Sequence, residues 1–178
     1  LPSLDVDYRA VCSHAAGIFL SKGHRRLALV VPNSGLAGDL MSEEGFREAV
    51  ASRPDRGAHA TVMRHNGSAD HLLAKLDELF HGPNHPSALL VARPQHTFAV
   101  IMYLLRRGLT VPDTVSVIGR DYDPLFGTSI SHYPFSGSAY IHRLSRLVAQ
   151  MVGNRFLPPE PSLVFPQYFS GGSVRKIG

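Results

Sequence analysis

The sequence predicts an α/β fold: an open, doubly wound parallel sheet with helices on both faces. Amphipathic stretches at helical spacing alternate with short, unbroken apolar runs, the connections between them are short, and the apolar runs are of the kind a strand buried on both faces requires. Right-handed crossovers then lay the strands side by side with their carboxyl ends along one edge. With 178 residues, 44% hydrophobic and 18% charged, such a chain hides roughly 70% of its unfolded surface, enough for a sizeable core.

The elements follow in order. From Tyr8 to Ser21 the residues Val11, Ala15, Ile18 and Phe19 recur at helical spacing, with Asp7 placed to cap the start and Gly23 to end the helix. Leu27 to Val31 is a continuous apolar strand that stops at Pro32-Asn33-Ser34-Gly35. A helix around Glu43 to Ala51 carries Phe46 and Val50, and a weaker strand covers Ala60 to Arg64. Ser68 is a good N-cap for a helix whose face is Leu72, Leu73, Leu76, Leu79 and Phe80, stopped by Gly82 and Pro83.

Ser87 to Val91 reads as another buried strand, Thr97 to Arg107 as a helix closed by Gly108, and Val115 to Ile118 as a third strong strand. Beyond Ile118 the rhythm changes. Gly119 to Phe135 holds two short extended pieces, a helix follows from about Ser138 to Val152, and Asn154 to Pro161 is linker-like, with three prolines. The strand Leu163-Val164-Phe165 and a turn at Gly171-Gly172 complete the reading, with no internal repeat and no low-complexity segment.

Several function classes drop out. No stretch approaches the ~20 apolar residues of a membrane span. Leu1 to Asp7 has no basic start, apolar core or small-residue cleavage site, so no secretory signal is present and the cytoplasm is the expected compartment. The single cysteine, Cys12, shares a helical face with Ala15, Ala16 and Phe19, which predicts a buried thiol rather than a nucleophile. The net charge of +4 is spread thinly, its longest clusters being Arg25-Arg26 and Arg106-Arg107 beside helix ends, where the dipole favours cations, so the surface is solvated rather than a nucleic-acid groove.

Catalytic and cofactor signatures are weak or missing. Pro32 to Asp39 joins strand to helix but matches neither G-x-G-x-x-G nor a P-loop, which favours an ordinary loop over an anion site. His81 and His85 are close in a turn without a third ligand type, so a surface loop is expected and no metal. Phe169 to Ser173 imitates a nucleophile elbow with no helix behind it, and reads as a turn. No cofactor is expected.

In an open parallel sheet, ligands bind outside the carboxyl ends of the strands, at the topological switch point. Functional residues are therefore expected at 32–41, 65–68, 92–96 and 119–123. Asp121 stands out, directly after the strong strand ending at Ile118. A carboxylate there would accept two hydroxyl hydrogen bonds from a polyol; turn chemistry supports an Asx turn with Tyr122-Asp123-Pro124 equally well.

Three stretches together resemble the effector domain of the LacI/GalR repressor family: Gly23-His-Arg-Arg-Leu-Ala-Leu-Val30 with Gly45-Phe46 and Ala49 beyond it; Gly108-Leu-Thr-Val-Pro-Asp-Thr-Val-Ser-Val-Ile-Gly-Arg-Asp121, close to that family's Gly-x-x-Val-Pro-x-Asp-Val-Ser-Val-Ile-Gly-Phe-Asp; and Ile130-Ser-His-Tyr133, a helix, Pro159-Glu-Pro-Ser-Leu-Val-Phe-Pro166 and Gly171-Gly-Ser173. The order and spacing hold from about Val6 to Ser173.

The resemblance implies a type I periplasmic-binding-protein-like fold of two lobes around a ligand cleft, a homodimer, a small sugar-like effector, and DNA contact only through a helix-turn-helix head that this sequence does not contain. It implies that residues 6–128 and 162–173 form the carboxy-terminal lobe, that 131–153 belong to the otherwise missing amino-terminal lobe, and that the last strand returns to the carboxy-terminal one. The apolar face of the 138–152 helix, with Ile141, Leu144, Leu147, Val148 and Met151, then needs another partner, and a swapped or intermolecular association of the isolated chain is expected.

On the same resemblance, Asp121 matches the sugar-binding aspartate. Ser42 stands where an arginine is usual, three residues before Gly45-Phe46. Arg93-Pro94 replaces the usual Asn-Asp after the strand ending at Val91, so Arg93 would supply positive charge from the neighbouring strand end or serve as a surface arginine. Asn66 is a further ligand candidate. The leading expectation is a ligand-sensing, non-catalytic regulator domain; the alternatives are an extracytoplasmic sugar-binding protein of a transport system and, disfavoured for want of any nucleotide, metal or nucleophile signature, an enzyme.

Overall fold

A computed structural model describes residues 4–53, 57–134, 137–153 and 162–177. Helix α1 (Tyr8–Ser21) starts where Asp7 Oδ1 accepts the N–H of Ala10 at 2.9 Å, and it buries Val11, Cys12, Ala15, Ala16 and Phe19 completely. Gly23, at φ +94°, turns the chain into β2 (Arg26–Pro32). The pleat of β2 divides the core: Leu27, Leu29 and Val31 pack towards α1 and α2 (Ala37–Ala51), whereas Ala28 and Val30 pack towards α3 (Ala69–Leu79) and α4 (Pro94–Arg106). The strand reads as one apolar run because both of its faces are covered.

Strands β3 (His59–His65), β2, β4 (Ala88–Val91), β5 (Ser116–Gly119) and β6 (Ser131–His132) form the main sheet in that order, and every neighbouring pair is parallel. The chain steps outward from β2 to β3, then back across to β4, so the switch point lies between the carboxyl ends of β2 and β4. Helices α1 and α2 cross so closely that a Cβ on Gly45 would collide with the Arg9 carbonyl, which fixes glycine at that crossing.

A second, two-stranded parallel sheet pairs β1 (Leu4–Val6) with β7 (Ser162–Val164). Helix α5 (Gly137–Val152) is tied to it by Tyr140 Oη donating to the Leu4 carbonyl at 3.3 Å and Arg143 Nε donating to Ser162 Oγ at 2.8 Å.

Four sequence expectations need correction. Helix α2 begins at Ala37, six residues before Glu43, because its start is held by Ser34, whose Oγ donates to Asp39 Oδ2 at 2.6 Å and accepts from Leu36 N–H, and not by a cap at Leu36. Helix α4 begins at Pro94 rather than Thr97, with proline in the first turn, where its missing N–H costs nothing. Strand β7 pairs with β1 and does not join the main sheet. The return to the main lobe is made later, by Phe169 bridging His132 and by Ser173, which accepts the Ser131 N–H at 2.8 Å and donates to the Val117 carbonyl at 2.6 Å. Finally, β6 keeps residues 131–132 in the main sheet, inside the segment assigned to the other lobe. The 154–161 linker lies outside the described residues.

Candidate functional site

Four charged side chains meet at the carboxyl edge, centred on Arg120 at the end of β5. The Arg120 side chain is fully buried. Its Nε and Nη2 donate to Asp121 Oδ1 and Oδ2, both at 3.0 Å, and its Nη1 donates to Asp39 Oδ1 and Ser42 Oγ, both at 2.9 Å. The guanidinium also lies 4.1 Å from the centre of the Tyr8 ring. Arg93, the residue capping α4, closes the circuit by donating to Asp39 Oδ2 at 2.9 Å and Asp121 Oδ2 at 3.4 Å.

A buried guanidinium is tolerable only when paired, and here two arginines balance two aspartates with four of the five Arg120 N–H groups committed. Burial alone would raise the Asp39 carboxyl, but hydrogen bonds from Ser34 and Arg120 and the two guanidinium charges outweigh it and hold the group below the usual carboxylate range. Burial alone would lower Arg120, and its carboxylate partners reverse that, so it stays charged. Cys12, beneath the cluster, is pushed up to about 12 by burial and is an inert thiol.

The network brings three of the four sequence candidates together. Asp121 is the one that meets the cleft, with 23% of its side chain exposed. It lines a cavity of about 210 Å³ with Tyr8, Arg120, Tyr122 and Tyr133. The Asx turn weighed for Asp121 belongs instead to Asp123, whose Oδ1 accepts the Leu125 N–H at 2.8 Å. Arg93 is partly exposed beside it. Ser42 is buried behind Arg120 and donates to the Gly38 carbonyl at 2.7 Å, so it steadies the guanidinium and offers nothing to the cleft. Asn66 stands apart: its Oδ1 accepts from both the N–H and Oγ of Ser68, an Asx turn at the start of α3.

Asp39 and Arg120 were missed. Asp39, in the first turn of α2, ends the Pro32 to Asp39 stretch that the sequence offers as a loop and that was read only for phosphate motifs, and Arg120 is the residue that departs from the Phe of the Gly-Phe-Asp pattern, a signal in plain view. A larger cavity, of about 670 Å³, opens at the opposite, amino edge, lined among others by Arg25, Arg26, His59 and Glu78. The carboxyl edge is the better site despite the smaller volume, since the convergent charges and the switch point coincide there. His85 stacks on Phe80 with ring centres 5.3 Å apart, and among the described residues no cluster of three His, Cys, Asp or Glu could hold a metal.

This topology is an α/β lobe with polar groups gathered at the switch point, the place where such sheets carry ligands. The model of the periplasmic binding protein-like domain matches residues 16–174, and the chain belongs to that family. A probable HTH-type transcriptional repressor from Bacillus subtilis, ExuR, is 23% identical over 167 residues, covering 92% of this chain and 50% of its own length. This chain thus spans about half of that curated relative.

Solved structures show the same fold. A LacI transcriptional regulator from a Rhodococcus species superposes with a TM-score of 0.83 at 19% identity, covering 99% of this chain and 65% of its own. The Escherichia coli transcriptional repressor AscG gives 0.77 at 17%, covering 97% and 64%. A sugar-binding LacI-family regulator from Escherichia coli, solved with phosphate, gives 0.77 at 19%, covering 98% and 64%. No helix among the described residues is long and apolar enough to cross a membrane.

Proposed function

We propose that the chain is the effector-binding part of a LacI-type transcription regulator, in which a small sugar-like molecule bound at the carboxyl edge changes operator affinity. The observation that carries this reading is Asp121, oriented by two arginines on the wall of a cavity that Tyr8, Tyr122 and Tyr133 also line. A fixed carboxylate accepts sugar hydroxyls, and aromatic rings cover the apolar face of a pyranose. The lobe works by binding and catalyses nothing. In the full-length protein it acts as a homodimer, with DNA held by a helix-turn-helix head.

Anisotropy of full-length protein on labelled DNA from upstream of its own gene tests this reading. One of a panel of sugars, sugar acids and sugar phosphates shifts the DNA affinity by about 5- to 150-fold, the usual range of allosteric coupling. DNA affinity indifferent to every compound contradicts it.

On the same reading β1, β7 and α5 are a share of the second lobe. Ile141, Leu144, Val148 and Met151 form one exposed stripe of α5, 45% to 63% exposed. Residues 1–178 alone are expected to sediment as a dimer that the pair Leu144→Asp and Val148→Asp dissociates. A monomer would overturn the assignment of that stripe.

A further inference from the structure

Two buried imidazoles at the carboxyl edge carry polar atoms without a partner. His65 ends β3 and is 1% exposed; His96 lies in the first turn of α4 and is 9% exposed. Their rings meet edge to face with centres 4.4 Å apart. The Gly67 N–H donates to His65 Nδ1 at 3.1 Å, so the proton of His65 sits on Nε2, and that N–H has no acceptor. His96 Nδ1 likewise has no partner, and with the ring proton on Nε2 it is a bare acceptor. Buried polar atoms are almost always paired, and here two rings in edge-to-face contact each leave one nitrogen unsatisfied.

We infer that His65 and His96 form a subsite for one ligand hydroxyl, which accepts from His65 Nε2–H and donates to His96 Nδ1. The inference rests on the reading of this edge as the effector site. A hydroxyl oxygen, like that of water, meets both needs through a single atom. A carboxylate or dianionic phosphate oxygen has no proton to give, and an ammonium cannot accept.

Both rings are available in the neutral form this requires. Burial, then the neighbouring charges, holds His65 down at about 4 and lowers His96 as well. Arg93, which touches Asp121, caps α4, the helix whose first turn carries His96. The two orphan atoms are closed to solvent, so binding there requires the edge to open around the two rings. Gly67, at φ +92° with open space where a side chain would stand, puts no side chain over the pair.

The test is calorimetry on the full-length protein with D-glucose, D-galactose, D-mannose and D-glucuronate, followed by the monodeoxy analogues of whichever binds. One deoxy analogue is expected to bind at least ~10-fold more weakly than its parent to the wild type, and less than ~2-fold more weakly to His65→Phe and His96→Phe, because a missing hydroxyl is penalised only where it leaves buried partners unpaired. His96→Gln, which keeps a donor and an acceptor, recovers part of the parent affinity and excludes simple misfolding. A sugar whose binding is lost in Asp121→Ala but whose deoxy penalties are unchanged in both Phe variants overturns this inference alone. Binding of none of the sugars overturns it together with the reading on which it rests.

Discussion

The main sheet and the β1, β7 and α5 assembly are built from the same alternation of strand and helix, yet they bury it differently. In β2, β4 and β5 nearly every apolar side chain is fully enclosed, one set under α1 and α2 and the other under α3 and α4. In α5 the apolar stripe faces solvent, and β1 with β7 makes a sheet of only two strands. A two-stranded sheet is marginal by itself, so the first region is an enclosed core and the second keeps its apolar stripe exposed. Pattern alone predicts that a helix forms; what it packs against depends on which other chain segments are present.

The largest effect expected within the enclosed region comes from Arg120→Ala. It strips Asp39 and Asp121 of their shared partner and should cost about 3–5 kcal/mol in urea denaturation, as breaking a buried pair does. A loss below about 1 kcal/mol would show that the network is solvated and not a core element. Next, Leu90→Ala, in the fully buried β4, is expected to cost about 2–5 kcal/mol, against no more than about 0.5 for Leu144→Ala on α5 in residues 1–178 diluted below the concentration at which they dimerise. Equal losses would erase the contrast between the two regions.

The smallest effect is on pH dependence. His65 is held down at about 4 in the fold and returns to about 6.5 when unfolded, so the unfolded state binds the proton first. The stability this group contributes is present above pH 6.5 and is lost as pH falls from there towards 4. His65→Phe should therefore narrow the drop in denaturation midpoint between pH 7 and pH 5, and an unchanged drop would mean that the ring is not enclosed.

What the sequence made legible was local. Asp7 capping α1, Ser68 capping α3 and the apolar runs of β2, β4 and β5 act within a few residues of themselves, and each is found where the pattern put it. The start of α2 was obscured because Gly38 and the Pro32 to Gly35 cluster read as loop. At the site Asp121 was visible, since it ends a strong strand. Its partners were not: Arg120 reaches Asp39 across 81 positions of sequence and Arg93 reaches Asp39 across 54, and no periodicity reports pairings of that range. The pairing of β7 with β1 was hidden for the same reason, with 158 positions separating Leu4 from Ser162.

The most direct test of the central claim is thermal unfolding of the full-length protein against sugars, sugar acids and sugar phosphates, repeated with Asp121→Ala. A ligand that binds the folded state raises its stability, by about 2.7 kcal/mol at a hundred times its Kd. The account predicts at least one compound that raises the Tm of the wild type and leaves that of Asp121→Ala unmoved. Compounds that shift both proteins equally, or a panel that shifts neither, would contradict it.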